Sequence, residues 1–295
     1  MAVETLRGRS PEILDEGAWT SRRAAHERRV DAWVLPHLER RREQVAHPVE
    51  DFLFTYYSQR PAALRRWHPG FGVTLTNAAS HVGLRGYVET PDGVTVAAEH
   101  VATQRPLLGA LSTLLRATAS RPAQLGCFGL HEWAMVYRQP PVEVRHAQWP
   151  LRLGSEATDG VVESHRVSCS HFDAFRFFTE DARPRNLLQP RSDDRPALEQ
   201  PGCLHAGMDL YKHAYRLTPM VASELVADCF ELAHDIRVLD MRASPYDLSG
   251  LGYSAVPIET PAGKAEYVAA QRVFAERGAP LRQQLVEERA RLLAL

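Results

Sequence analysis

The stretch SELVADCFELAHDIRVLDM sets Leu225, Cys229, Leu232, Ile236 and Leu239 at alternating spacings of four and three. Apolar residues at that spacing form one stripe of an α-helix, and such a helix is stable only when something covers the stripe. The chain must therefore supply a packed helical core, and 295 residues are enough to bury one. Glu224, Asp228, Glu231 and Asp235 form an acidic stripe elsewhere on the same helix.

Other segments carry similar signals. Residues 12 to about 45 suit a helix that is Arg-rich toward its end and broken near Pro36, the arginines forming a solvated face. HPVEDFLFTYYSQRP (47–61) opens with a proline suited to a first helical turn, and Pro61 ends it. Further helices are expected over 106–120, over HAGMDLYKHAYRL and over about 263–293. Between Phe71 and about Val101 the pattern changes to alternation. LRGYVET-PDG-VTVAAEH is a hairpin signal, since proline presets one turn dihedral and glycine permits the next. VVESHRVSCSH (161–171) suggests another strand. Residues 181–202 are proline-rich and polar, a long surface loop that could serve as a lid or a linker. With no repeat and no mid-chain boundary, the expectation is one domain over 1–295. Its class is α+β, predominantly helical, with a small antiparallel sheet in the first half.

Apolar residues at 44% and charged residues at 24% describe an ordinary soluble globular protein. No apolar run is long enough to span a membrane, and MAVETLRGRSPEILDEG has no signal-peptide core. Cys127, Cys169, Cys203 and Cys229 sit far apart in apolar or His-flanked settings, which suits reduced thiols and a cytoplasmic location. A net charge of −1 argues against a whole basic face for polyanions. Only Lys212 and Lys264 are lysines, so a lysine in this chain is unusual.

Polar residues that are costly to bury lie inside aromatic-rich segments. His47, Glu50 and Asp51 precede FLFTYY; His131 and Glu132 sit in CFGLHEWAMVY, and His171 and Asp173 in CSHFDAFRFF. His205 and Asp209 are in CLHAGMDLYKHAY, and Asp240, Arg242 and Asp247 in LDMRASPYDL. Each must reach the surface, pair with arginine or join a site, and together they point to a shared polar pocket. On helical spacing Glu132 falls off the stripe of Cys127, Leu130, Ala134 and Tyr137, so it faces water unless a second wall covers it.

Metal chemistry has two local supports. Cys169-x-His171 and Cys203-x-His205, with Cys127 and His131, could supply a zinc-type site or could simply be buried thiols beside histidines. His205, Asp209 and His213 share one helical face, with Lys212 adjacent. His-x3-Asp is similar to the third core helix of heme-oxygenase-like di-iron enzymes. Glu231-Leu-Ala-His234 matches one half of the paired E-x-x-H of ferritin-like bundles, whose other half is absent. A metal-dependent oxidoreductase of a small molecule, using iron or zinc, would draw on His47, Glu50, Glu132, His171, His205 and Asp209. No G-x-G-x-x-G, Walker loop, G-x-S-x-G or H-E-x-x-H occurs.

HPVEDFLFTYYSQRP, LRRWHPG, CFGLHEWAMVY, RVSCSHFDAFRFF, QPGCLHAGMDLYK and LDMRASPYDL resemble a family of actinobacterial proteins labelled 3-methyladenine DNA glycosylases, over about residues 25 to 285. The resemblance implies a cofactor-free N-glycosidase that removes an alkylated base in DNA repair, its partner being DNA or a nucleobase-containing small molecule. Such chemistry needs a flipped base in an aromatic-lined pocket and a carboxylate to activate water or stabilise the sugar cation. On that reading Glu132, Asp173 and Asp209 are the catalytic carboxylates. Lys212 is a Schiff-base nucleophile or else a carboxylate partner. Trp133, Tyr137, Phe177 and Tyr211 would stack on the base, and Arg242 would contact the substrate. The chain departs from the helix-hairpin-helix glycosylases: strand-like VPIET follows Leu248-Ser-Gly-Leu-Gly252, and no Asp occurs after Asp247. If the polar segments scatter over the surface, a non-catalytic nucleic-acid or partner-binding protein is the remaining reading.

Overall fold

The computed structural model describes residues 12–140 and 148–295. Most of the N-terminal stretch on which the signal-peptide reading rests lies outside them. Helices follow in chain order as α1 (Glu16–Arg42), α2 (Phe52–Tyr56), α3 (Pro61–Arg65), α4 (Ala98–Thr103), α5 (Arg105–Ala119) and α6 (Leu130–Ala134). They continue as α7 (Gly154–Ser164), α8 (Phe172–Phe175), α9 (Arg195–Leu198), α10 (Leu204–Tyr215), α11 (Ser223–Arg242) and α12 (Pro261–Leu293). Strands are β1 (Glu12–Leu14), β2 (Val73–Leu75), β3 (Tyr87–Thr90) and β4 (Gly93–Val96). The class is α+β and mostly helical. No helix among the described residues is long and apolar enough to cross a membrane. The chain forms two compact units, one from Met1–Leu115, Leu210–Glu231 and Leu281–Leu295, the other from Arg116–Asp209 and Leu232–Pro280.

The first unit holds the sheet, in the order β1-β2-β4-β3. β3 and β4 form the expected hairpin, and β4 also pairs antiparallel with β2. β1 pairs parallel with β2, so the sheet is mixed and not purely antiparallel; a three-residue strand is too short to show alternation. The turn is Pro91-Asp92, and Gly93 opens β4 at φ 136°, where a Cβ would collide with the Leu75 carbonyl. Glycine is needed there for strand approach. Trp19, Trp67, Val73, Leu75, Ala78 and Val94 make the core over this sheet. The Trp19 indole N–H donates to the Thr76 carbonyl at 2.9 Å.

α1 runs unbroken through Pro36, contrary to the expected break. Pro36 is exposed, so water can satisfy the carbonyl it frees, while buried Val30, Val34 and His37 carry the helix past it. Its arginines are not merely solvated either. Arg22 pairs with Glu224 at 3.0 Å, and Arg29 with Asp228 at 2.7 Å and Glu231 at 2.6 Å. The acidic stripe of α11 is thus partly consumed by α1, and Glu231 is engaged by arginine. His47 and Asp51 lock the entry to α2. The His47 Nδ1 accepts from the Val49 and Glu50 amides, and the His47 amide donates to Asp51. Asp51 is held in turn by His37 and Arg40 at 2.8 and 2.6 Å.

In the second unit, α7 occupies part of the region expected as strand. Val161 and Val162 are buried on this helix, and only beyond His165 does the chain extend, with Val167 bridging Asn186. Segment 181–202 carries 3-10 turns at Arg183–Arg185 and Ser192–Asp194, then α9. It is tied down: the buried Asn186 side chain bonds both backbone groups of Cys169, and Arg121 donates to the Pro196 and Glu199 carbonyls.

Burial alone would raise the Asp51 carboxyl, but Arg40, His37 and the His47 amide hold it below the ordinary range. A lowered carboxyl stabilises the fold above its unfolded pKa, and that contribution disappears as pH falls through the folded value. Asp51→Asn is expected to cost about 3 kcal/mol at neutral pH. In urea melts at a series of pH values, the gap from wild type should close below about pH 4. A gap that persists unchanged into acid would show that Asp51 acts through packing and not charge.

Candidate metal centre

CFGLHEWAMVY forms a single helical turn rather than a long amphipathic helix. Phe128 and Gly129 enter it at φ 48° and 69°. Leu130, His131, Glu132, Trp133 and Ala134 are then all buried. Glu132 is only 5% exposed, so a second wall does cover it. Its second wall is α11: Arg237 donates to Glu132 Oε1 at 2.9 Å and to Asp240 Oδ2 at 3.0 Å. Arg237 and Asp240 are 1% and 0% exposed, so one guanidinium compensates two buried carboxylates.

The other oxygen of Asp240 faces histidine. His131 Nε2 lies 3.0 Å from Asp240 Oδ1. Yet neither atom has a hydrogen-bond partner in acceptable geometry. At that distance the two groups still attract as an ion pair, and each shifts the other's ionisation. His205 packs edge-on against His131 with ring centroids 4.4 Å apart. His131, His205 and Asp240 bring ligand-type atoms within 4.8 Å of one another, the one such group among the described residues. Metal–nitrogen and metal–oxygen bonds of about 2.0–2.2 Å put neighbouring ligand atoms roughly 3.0–3.4 Å apart. The His131–Asp240 pair already has that spacing, and His205 needs to close in by no more than about 1.5 Å.

The electrostatics suit ligation at Asp240 and His205. Burial would raise the Asp240 carboxyl, but His131 and Arg237 hold it ionised, far below the usual range. Burial pushes His205 well below its ordinary value, and the neighbouring His131 pushes it further. A neutral imidazole presents a lone pair. His131 is raised despite its burial because Asp240 stands beside it, so a metal would have to displace its proton.

His131 and His205 line a cavity of about 330 Å³. Its walls are mostly apolar, with Leu130, Leu188, Leu198 and Leu204, and Arg121, Gln124 and Gln200 supply polar groups. Cys127, Cys169 and Cys203 line it too, but none of them joins the His131, His205 and Asp240 group, so the zinc-type site expected of the two C-x-H pairs and Cys127 is not assembled among the described residues. All four cysteines are free thiols. Burial raises the three cavity thiols, Cys169 to about 12, so they stand as neutral SH groups and not as nucleophiles.

A second polar layer lies behind the cluster. His171 stacks near His205 with centroids 5.3 Å apart. Its Nε2 lies 3.4 Å from Glu199 and 3.5 Å from Asp209. Arg195 binds Asp209 at 2.5 Å, bonds Glu199 and approaches Asp173 at 3.8 Å. Asp209, Asp173 and His171 therefore belong to an arginine-centred network beside the cavity and do not line it.

The remaining expected site residues are placed elsewhere. Trp133 is fully buried and donates to the Ala243 carbonyl. The Tyr137 hydroxyl donates to Glu163, and the Phe177 ring lies under the Arg176 guanidinium. Tyr211 packs in an aromatic group with Tyr57, Tyr215 and Phe230. Arg242 pairs with Glu266 at 3.1 Å. Lys212 is half-buried in the first unit, and Lys212, Trp133, Tyr137, Phe177, Tyr211 and Arg242 are all absent from the cavity wall. His47 and Glu50 also lie in the first unit.

Arg195, Glu199 and Arg237 were not among the expected site residues, and Asp240 was seen only as a buried-polar signal. For Arg237 and Asp240 a signal existed: Ala233, Arg237 and Asp240 repeat the four-three spacing one position beyond Leu232, Ile236 and Leu239. Comparison with family models, with curated proteins and with solved structures finds no match for this chain.

Arg237→Ala would strand Glu132 and Asp240 as uncompensated buried charges, at a cost of about 3–5 kcal/mol. Glu132→Gln keeps a neutral acceptor and should cost distinctly less. Urea denaturation of the two variants checks the order, and equal losses would mean that Arg237 serves only to fill space.

Proposed function

We propose that the protein is a metal-dependent oxidoreductase of a small, largely apolar organic molecule. His131, His205 and Asp240 hold the metal, and the adjoining cavity takes the substrate. The observation that carries this reading is the cluster of His131, His205 and Asp240, whose ligand-type atoms lie within 4.8 Å of one another. Two imidazoles and a carboxylate held that close suit a common cation. Two imidazoles and one carboxylate form the donor set typical of non-haem Fe(II) sites, which leaves coordination positions open to ligands. His131 and Arg237 keep Asp240 ionised, and the leucines with the neutral thiols keep water from the substrate. Three residues supply the metal ligands, and the metal supplies the redox chemistry.

Base excision, which the family resemblance implies, is supported less well by this geometry. Among the described residues the cavity wall carries no aromatic ring except the two imidazoles. Glu132, Asp173 and Asp209 each answer to an arginine.

Elemental analysis of the protein purified after iron reconstitution should find close to one metal ion per chain. His205→Ala and the near-isosteric Asp240→Asn should lose it while keeping the wild-type circular dichroism. Substoichiometric metal in the reconstituted wild type would overturn the reading. So would release of 3-methyladenine from methylated DNA that survives both variants.

A further inference from the structure

The first unit contains a second concavity, of about 270 Å³ and different chemistry. Arg66, Arg85 and Arg216 line it together with His68, His100 and Gln104, and no Asp or Glu among the described residues does. Arg66 and His68 follow α3, Arg85 follows the 3-10 turn Ala79–His81, His100 and Gln104 belong to α4 and its end, and Arg216 follows α10. Four separate stretches of chain thus each bring a cation or a neutral donor to one place.

The arginines differ in kind from others in the same unit. Arg22, Arg29, Arg40 and Arg65 all form ion pairs with carboxylates. Arg66, Arg85 and Arg216 form none with any described residue, although acidic residues outnumber basic ones in the chain. Three uncompensated guanidiniums in one hollow repel one another, an arrangement that an anion would relieve. The hollow is also built with care. His68 Nδ1 and the Tyr87 hydroxyl are bonded at 2.9 Å, which fixes that ring. Gly86 sits at φ 88°, and a Cβ there would lie 2.9 Å from the His100 ring, so only glycine lets His100 pack beside Arg85. Both histidines register the positive field. Burial lowers His68 to about 3, with His81 and Arg66 adding to the effect, and burial and Arg85 lower His100.

We propose that this hollow is a binding site for the phosphate group of a small phosphorylated molecule. A carboxylate has two oxygens and is satisfied by one guanidinium. Three guanidiniums with histidine and amide donors match a tetrahedral dianion, whose oxygens each accept more than one charge-assisted bond. The concavity favours a compact ligand over an extended strand, since a nucleic-acid backbone needs a row of cations along a groove. The site is separate from the proposed metal centre and does not depend on it.

The full-length protein titrated calorimetrically with inorganic phosphate, with pyrophosphate and with a mononucleotide tests this. Saturable binding is expected, weakened by added salt, and tighter for pyrophosphate than for phosphate. Arg85→Ala and Arg216→Ala should each weaken it by about tenfold or more. Both side chains are exposed and unpaired, so the variants should keep the native melting temperature. His131→Ala should bind phosphate as wild type does, which separates this site from the metal reading. Three results would overturn the proposal. One is no saturation of wild type by roughly 10 mM of any of the three probes, the range of weak millimolar affinity. Another is undiminished binding by the Arg85→Ala, Arg216→Ala double variant. The third is affinity that climbs steadily with the length of an oligothymidylate and far exceeds that for the mononucleotide, which would assign the hollow to nucleic acid.

Discussion

Arg237 is the group on which the second unit's chemistry depends. It is almost wholly buried and touches Glu132 and Asp240 with one nitrogen. A guanidinium stripped of water is tolerable only with such partners, and the partners are tolerable only with it. The pairing also fixes direction. Because Oδ2 of Asp240 is taken by Arg237, Oδ1 is left to face His131. His131 in turn stands against His205. Removing the arginine would thus change both the stability of the unit and the ionisation and aim of the carboxylate at the centre of the histidine cluster.

Arginine serves two ends in this chain, and pairing distinguishes them. Arg22, Arg29, Arg40, Arg65, Arg195 and Arg237 are matched by carboxylates, and each of these arginines has at least one partner on another segment. Arg195 shows the strongest case: it gathers Glu199 and Asp209 and approaches Asp173, and these carboxylates keep it firmly protonated against the cost of burial. Arg66, Arg85 and Arg216 are not matched, and they share one hollow. A net charge of −1 averages over these two populations and conceals both.

The regular elements were largely legible. The stripe of Leu225, Cys229, Leu232, Ile236 and Leu239 is buried along α11, and the PDG hairpin forms. Local periodicity carries that information because neighbours in a helix or hairpin are neighbours in sequence. The errors came where tertiary contacts override a local rule. Pro36 stays helical because its freed carbonyl meets water and the flanking residues are buried. Val161 and Val162 look like strand but lie on α7, which begins upstream in a polar stretch. Glu132 falls off the apolar stripe on a helical wheel, and the second wall it needs is supplied by Arg237, 105 residues further on.

For the site, the sequence by itself determined that histidines and carboxylates occupy apolar segments and must be compensated there. It also singled out Cys127, Cys169, Cys203, His131, His171 and His205 as a zinc-type set or as buried thiols beside histidines. Only the tertiary structure decided who compensates whom. Asp173 and Asp209 went to Arg195, Glu132 went to Arg237, and Asp240 was left with an oxygen for His131. The physical reason is that ion pairing and ligation depend on a few ångströms between groups a hundred residues apart. No spacing rule along the chain encodes that distance, which emerges only when the helices pack.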